Sequence, residues 1–297
     1  MDFYKKYTAG GMPMFGFCPP ENLEKIRVME MNPKDIIVAG YPKSGSTWTY
    51  TRICAILAAD GLQRFKAEGF SSERSPLEFL DTYDLVQRVP RPTVILTHLK
   101  YNMLPKQVEA KQIKVVYVVR NPKDTAVSYY HFSKNLRFFG FSGSWEEYLP
   151  LFLTGDVPWG SWFEYQKDWL QYVDKPNLLL VTYEESLQNP KAFIRRIAEF
   201  LNKDLTDEQV AKIADLTSAD KMRADPKFDA SPRDVKVHKG DRSETYTVIH
   251  RPEARGLHIR KAKIGDWKNH FSPEQLQNFY KVYSQYKNDI GLDFVFE

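Results

Sequence analysis

Four short apolar runs separated by stretches of helical spacing constrain this chain more than any other feature. They are Asp35–Gly40 (DIIVAG), Thr93–Thr97 (TVILT), Lys114–Val119 (KVVYVV) and Asn177–Thr182 (NLLLVT). None alternates cleanly between apolar and polar residues, which suits strands covered on both faces. Helical patterns fall between them at Thr47–Asp60 (closed by Gly61), Asp124–Asn135, Trp145–Thr154, Ser161–Val173 and Pro190–Leu201. A last one follows Ser272, whose SPEQ reads as a cap, a proline at the first helical position and a polar first turn. Strands alternating with helices predict an α/β fold with a central parallel sheet flanked by helices. One domain over residues 1–297 accommodates them. Residues 225–258 are polar, broken by proline and without strong periodicity, and read as a lid-like loop.

Composition removes several function classes. Of 297 residues, 42 are Lys or Arg and 38 are Asp or Glu, a net charge of +4 that is too weak for a general nucleic-acid surface. The charge is unevenly placed. Residues 221–270 carry 13 basic against 7 acidic side chains, net +6, and the remainder is net −2. That local excess suits a small polyanion. No apolar run is long enough to span a membrane and no signal peptide is evident. The only cysteines are Cys18 and Cys54, too few for a disulfide framework, so the expected setting is cytoplasmic.

In an open parallel sheet, ligands bind outside the carboxyl ends of the strands. The residues following the four runs are therefore the place to look for chemistry. After the first comes Tyr41-Pro42-Lys43-Ser44-Gly45-Ser46-Thr47-Trp48, a strand–loop–helix passage suited to an anion. Its lysine precedes Gly45, and no GK[ST] follows, so it is not a magnesium-dependent nucleotide loop; this weighs against a kinase. Trp48 either stacks a base or packs in the core. After the second run comes His98, either a structural hydrogen-bonder or a general base. After the third comes Arg120, which needs an anion or a salt bridge such as Asp124, with Ser128 in the first turns of the next helix. After the fourth comes Tyr183. The run Arg260-Lys261-Ala262-Lys263 before Gly265-Asp266-Trp267 is a further source of positive charge, or a solvated basic loop.

YPKSGSTW at 41–48, THL at 97–99, VVYVVRNPKDTAVSYYHF at 115–132 and RKAKIGDWKNHF at 260–271 together resemble the signatures of the cytosolic sulfotransferases, in the same order from about Pro33 to Phe271. The resemblance implies transfer of a sulfuryl group from PAPS (3′-phosphoadenosine 5′-phosphosulfate) to a hydroxyl or amine, with PAP released and no metal required. It implies that Lys43 and the backbone of Ser44, Gly45, Ser46, Thr47 and Trp48 hold the phosphosulfate, with Lys43 and Ser128 also serving catalysis. Arg120, Ser128, Arg260, Lys261 and Ala262 would hold the 3′-phosphate, Trp48, Tyr183 and Thr217 the adenine, and His98 would be the base. The chain departs from the family pattern at four places. Leu96 stands for a frequent lysine, Ala219 for an adenine-stacking aromatic and Ala262 for a glycine. Of the dimer motif, with Ser272, Pro273 and Gln277 at its other positions, only Lys268 survives, so a monomer or a homodimer is expected.

Residues 129–172 hold 15 of the 42 aromatic side chains, against about 6 for an even spread. With the resemblance, this places a small lipophilic acceptor, such as a phenol, catecholamine or sterol, among Phe15, Phe17, Phe70, Phe79, Phe132 and Phe139. Residues 1–32 form an extension over that pocket. The alternatives are an inactive binding protein of the same fold, kept in view by Leu96, Ala219 and Ala262, and a small-molecule kinase.

Overall fold

A computed structural model describes residues 6–61, 75–79, 82–135, 141–224, 233–239, 242–248 and 259–297, the last two strands (233–239 and 242–248) by their backbone alone. The strands are β1 (Tyr7–Ala9), β2 (Met12–Met14), β3 (Ile36–Gly40), β4 (Val94–Thr97), β5 (Lys114–Val119), β6 (Leu178–Thr182), β7 (Arg233–Lys239) and β8 (Arg242–Val248). The α-helices are α1 (Pro20–Arg27), α2 (Ser46–Ala59), α3 (Thr82–Arg88), α4 (Gln107–Ala110), α5 (Pro122–Asn135), α6 (Trp145–Thr154), α7 (Trp162–Leu170), α8 (Tyr183–Gln188), α9 (Pro190–Phe200), α10 (Asp207–Leu216), α11 (Ala219–Ala224) and α12 (Pro273–Ile290).

β3 to β6 form the parallel sheet that the apolar runs predict, in the order β4-β3-β5-β6. Side chains alternate across it, as the pleat requires. Ile36, Val38, Leu96, Val116 and Val118 pack beneath α2, α9 and α10 with Ile53, Ile56, Ile194, Ile197 and Val210. Ile37, Ala39, Ile95, Val115, Tyr117 and Val119 face the opposite layer, which holds Val127, Phe152, Phe163 and Trp169. Both faces are therefore dry, which explains why no run alternates in the sequence. Leu96 is buried in the α2 layer.

The chain moves from β3 outward to β4, then returns to the other side of β3 with β5. The point where the order reverses opens a crevice at the carboxyl ends of β3 and β5. The cap predicted at Ser272 is present: Gln275 N–H donates to Ser272 Oγ at 3.1 Å, and Ser272 N–H donates to Gln275 Oε1 at 2.9 Å. The helix expected over Ser161–Val173 is shorter, running from Trp162 to Leu170 with Ser161 as its cap.

Part of the segment read as a lid-like loop, 225–258, is regular strand. Within it β7 and β8 pair as an antiparallel ribbon, Arg233 opposite Val248 through Lys239 opposite Arg242. The signal was present in the sequence: the alternating runs RDVKVHK and RSETYTV flank a Gly-Asp pair of the kind that favours a hairpin. The rest of that segment, with Phe70 and Phe139, lies outside the described residues. At the N-terminus, β1 and β2 form a second hairpin, and Trp159 N–H donates to Pro13 O at 3.0 Å.

Candidate active site

The Tyr41–Trp48 passage leaves β3 in a tight loop. Lys43 and Gly45 both adopt left-handed backbone angles, φ 69° and 97°. Glycine at 45 is required twice over, because a Cβ there would also lie 2.6 Å from the Tyr183 ring. The loop turns straight into α2, whose first N–H groups have no helical carbonyl to bond and so face the crevice. The hydroxyls of Ser44 and Ser46 are buried and lack a hydrogen-bond partner among the described residues.

Arg120 ends β5 beneath the same loop. Its guanidinium lies 4.1 Å from the Tyr183 ring centroid, and Nη1 donates to Lys43 O at 3.3 Å. Its Nε has no partner among the described residues. Asp124, the salt-bridge alternative, is committed elsewhere. It accepts the N–H groups of Gly265 at 2.8 Å and Trp267 at 3.0 Å, and the Asn121 amide at 3.0 Å. Those bonds dock the Arg260–Trp267 passage against the first turn of α5. Arg260 and Lys261 both bridge to Asp266. Burial by itself would raise the Asp266 carboxyl, but bonds from Lys261, Arg260 and Asn269 hold it well below the usual carboxylate range. Arg260 Nε is buried without a partner among the described residues. Ala262 sits at φ 53°, so the backbone angle accounts for the glycine of the family pattern. Alanine adopts that angle at a cost of roughly 1–2 kcal/mol. Ser128 is half-buried in the second turn of α5.

These cations act on one another. Burial, followed by the Arg120 and Arg260 charges, lowers Lys43 to about 7. Its ammonium also stands 4.1 Å from the Phe132 ring centroid. A site in which positive charges raise each other's cost, and in which buried donors lack acceptors, has the chemistry of a polyanion cradle.

Trp48 packs in the core, as one of its two expected readings had it. It is buried with Tyr183, Met222 and Ile259, with Ala219 and Ala262 at the margin. Its Nε1 donates to Thr217 O at 2.7 Å. Thr217 Oγ1 accepts Arg52 Nε at 3.3 Å and donates to Ile213 O at 2.8 Å. Thr217 therefore anchors the indole from behind. Met222 and Ile259, which the sequence reading passed over, supply apolar surface where Ala219 offers no ring.

His98 follows β4 directly. Its Nδ1 lies 2.6 Å from Gly40 O. A carbonyl only accepts, so Nδ1 carries the proton and Nε2 presents a lone pair. Burial lowers the imidazole to about 4; the Gly40 bond opposes this and the Lys43 charge reinforces it. At neutral pH the ring is thus an uncharged base.

Beside it stands an aromatic wall. Trp159 meets the His98 ring edge-on, with centroids 5.2 Å apart, and stacks on Phe79 at 5.9 Å. Phe17 packs against Phe79 at 5.2 Å, and Phe15 packs against Phe17 at 6.0 Å. Phe15, Phe17, Phe79 and Phe132, four of the six phenylalanines expected around the acceptor, are in the described structure, the first three along the Trp159 wall beside His98 and the last against Lys43; Phe70 and Phe139 are outside that structure. Trp159 and Glu78 were not singled out from the sequence.

Comparisons with known proteins place the chain in a family. The sulfotransferase domain pattern matches residues 33–291. Mouse sulfotransferase 1B1 is 35% identical over 295 residues, covering 96% of this chain and 92% of its own. Zebrafish sulfotransferase 6B1 is 33% identical, covering 89% and 82%. The crystal structure of mouse sulfotransferase SULT7A1 complexed with PAP aligns with a TM-score of 0.74 at 29% identity, over 95% of this chain and 94% of that one. Retinol dehydratase in complex with androsterone and PAP aligns with a TM-score of 0.77 at 20% identity, over 98% and 92%, which speaks to the fold alone. Fold and site thus define a sulfuryl-transferring enzyme. The chain belongs to the PAPS-dependent sulfotransferase family, in the cytosolic branch that its motifs resemble. No helix among the described residues is long and apolar enough to cross a membrane.

Proposed function

We propose that this chain transfers the sulfuryl group of PAPS to the hydroxyl of a small lipophilic acceptor, a phenol, catecholamine or sterol. One observation carries the reading: an uncharged imidazole whose Nε2 holds the lone pair stands beside a half-buried lysine and against an aromatic wall. The residues present fit the donor. Ser44, Ser46, Arg120 and Arg260 offer buried donors without partners among the described residues, and Trp48 with Met222 and Ile259 offers an apolar face for a base.

The donor supplies an activated sulfuryl group. Lys43 stabilises the negative charge that develops on the leaving oxygen, and the first N–H groups of α2 add to that stabilisation. Arg120, Arg260 and Ser128 anchor the remote phosphate and so orient the donor. His98 Nε2 takes the acceptor proton while Nδ1–H stays on Gly40 O. The rings of Phe17, Phe79, Phe132 and Trp159 bury a flat apolar acceptor and keep water from competing for the sulfuryl group. The thiols of Cys18 and Cys54 fit a cytoplasmic setting.

A panel of phenols, catecholamines, sterols and sugars incubated with radiolabelled PAPS tests the acceptor class. Label should pass to the aromatic and sterol alcohols; labelling of sugars alone refutes the lipophilic pocket. A thermal-shift comparison should show stabilisation by PAP and none by ATP with magnesium, the reverse being expected of a kinase.

Lys43 gives a second test. Its ammonium is depressed to about 7, so a bound polyanion raises it back toward the ordinary lysine value of about 10.5. Between those limits the complex holds more protons than the free protein. PAP binding should therefore take up close to one proton near pH 8, and affinity should fall as pH rises above 7. Calorimetry in buffers of different ionisation heat reads this directly. Lys43→Met should abolish the uptake, and uptake unchanged in that variant would assign it to another group.

A further inference from the structure

Glu78 is a fully buried carboxyl that none of the roles above uses. Its segment joins the sheet edge, with Leu77 N–H donating to Leu96 O at 2.7 Å, next to the end of β4 that carries His98. One oxygen, Oε1, accepts the backbone N–H of His98 at 2.9 Å and the indole Nε1–H of Trp159 at 3.1 Å. The other, Oε2, accepts the Thr97 hydroxyl at 2.8 Å. Thr97 Oγ1 accepts Leu99 N–H at 3.1 Å, which ties the group to both sides of His98.

This is an expensive arrangement. Burial pushes the Glu78 carboxyl up to about 7 even though Thr97, His98 and Trp159 all donate to it. An apolar side chain would fill the same space without that penalty. What the carboxyl provides and an apolar group cannot is a shared anchor. The backbone of His98 and the ring of Trp159 belong to segments more than sixty residues apart, and they meet on a single oxygen atom. Trp159 is the ring that faces the imidazole and stacks on Phe79, so the anchor fixes the distance between the proton acceptor and the wall against which the acceptor molecule lies.

We propose that Glu78 is a positioning residue that sets the register between the His98 imidazole and the Trp159–Phe79–Phe17 wall, and so presents the acceptor hydroxyl to the base. This rests on the reading of His98 as the base and of the aromatic wall as the acceptor site.

The test measures kcat and KM for a phenol that the panel shows to be sulfated, together with PAP affinity and Tm, in the full chain. Glu78→Gln keeps an oxygen in the Oε1 position and should stay within a few-fold of the parent. Glu78→Ala frees both partners. A displacement of about 1 Å costs on the order of 100-fold, so kcat should fall by about that much, with a raised acceptor KM. PAP affinity should change by less than about threefold, because the phosphate cradle lies on other segments. Trp159→Phe keeps the ring but removes the N–H. If the oxygen couples the two segments, Glu78→Ala should cost several-fold less in the Trp159→Phe background than in the parent.

Parental kcat and KM in Glu78→Ala would overturn the proposal. So would equal losses of turnover, PAP affinity and Tm in both the Gln and Ala variants, or fully multiplicative effects of Glu78→Ala and Trp159→Phe. His98→Ala run alongside separates the two readings. If it retains turnover, the base assignment fails whatever Glu78 does. If it is inactive while Glu78→Ala is unimpaired, the positioning proposal alone fails.

Discussion

Replacing His98 with alanine is expected to cut turnover of an aliphatic alcohol or sterol by about 10²–10⁴-fold, the usual contribution of a positioned base, while PAP affinity stays within a few-fold. The separation follows from where the ring lies. His98 sits at the end of β4, bonded to Gly40 O and facing Trp159, whereas the phosphate donors come from the β3–α2 loop, Arg120 and the Arg260 passage. Losing the imidazole leaves Gly40 O without that donor, and a buried acceptor deprived of its partner costs about 1–3 kcal/mol. Tm should therefore fall modestly. The sharper readout is the dependence on the acceptor. A base matters only where the acceptor keeps its proton. An acidic nitrophenol, already ionised at neutral pH, should lose far less turnover in His98→Ala than a sterol. Equal losses across the two acceptors would mean that the ring packs the pocket and takes no proton. An unaltered rate with the sterol would remove His98 from the mechanism.

The sheet was the most legible part of the chain. Four runs of Val, Ile and Leu can hardly be placed anywhere but between two apolar layers, and their order with the helices implied parallel pairing. The rim residues followed, because the carboxyl ends of such strands are where ligands bind, and Lys43, His98, Arg120 and Tyr183 each come directly after a run. Strand order was not legible, since it depends on which layers cover which helices. Glu78 and Trp159 were not legible either. Glu78 lies in a short segment with no regular structure, and its partners are 19, 20 and 81 residues away. A single acidic residue between Leu77 and Phe79 looks like a solvated charge until the fold closes over it. The family pattern suggested Thr217 for the adenine site, but its grip on the Trp48 indole is visible only in the packing. Asp124 was weighed as a salt-bridge partner for Arg120. It became instead the acceptor that docks the Gly265–Trp267 turn, because two backbone N–H groups reach it first.

Arg120→Ala should weaken PAP by roughly 30- to 5,000-fold, the range for truncating one side of a buried charged contact worth about 2–5 kcal/mol. Arg120 closes the end of β5, shares no ion pair with the described residues, and leaves Nε unpartnered there. No carboxylate among the described residues pairs with it directly, although its charge acts on the nearby Glu184 carboxyl. Arg120→Lys should fall between the parent and the alanine variant, because lysine keeps the charge but loses the planar fork and its stacking on the Tyr183 ring. A second consequence distinguishes loss of a ligand contact from general damage. The Arg120 charge is one of the two that help burial to lower Lys43. With it removed, the Lys43 ammonium should rise above its parental value of about 7, so a larger share of Lys43 is protonated near pH 8 before PAP binds. Proton uptake on PAP binding should shrink accordingly, and the loss of affinity with rising pH should begin at a higher pH. Misfolding would reduce affinity without moving that dependence. Weakened binding with an unchanged proton uptake would separate Arg120 from the Lys43 cradle and place the remote phosphate elsewhere.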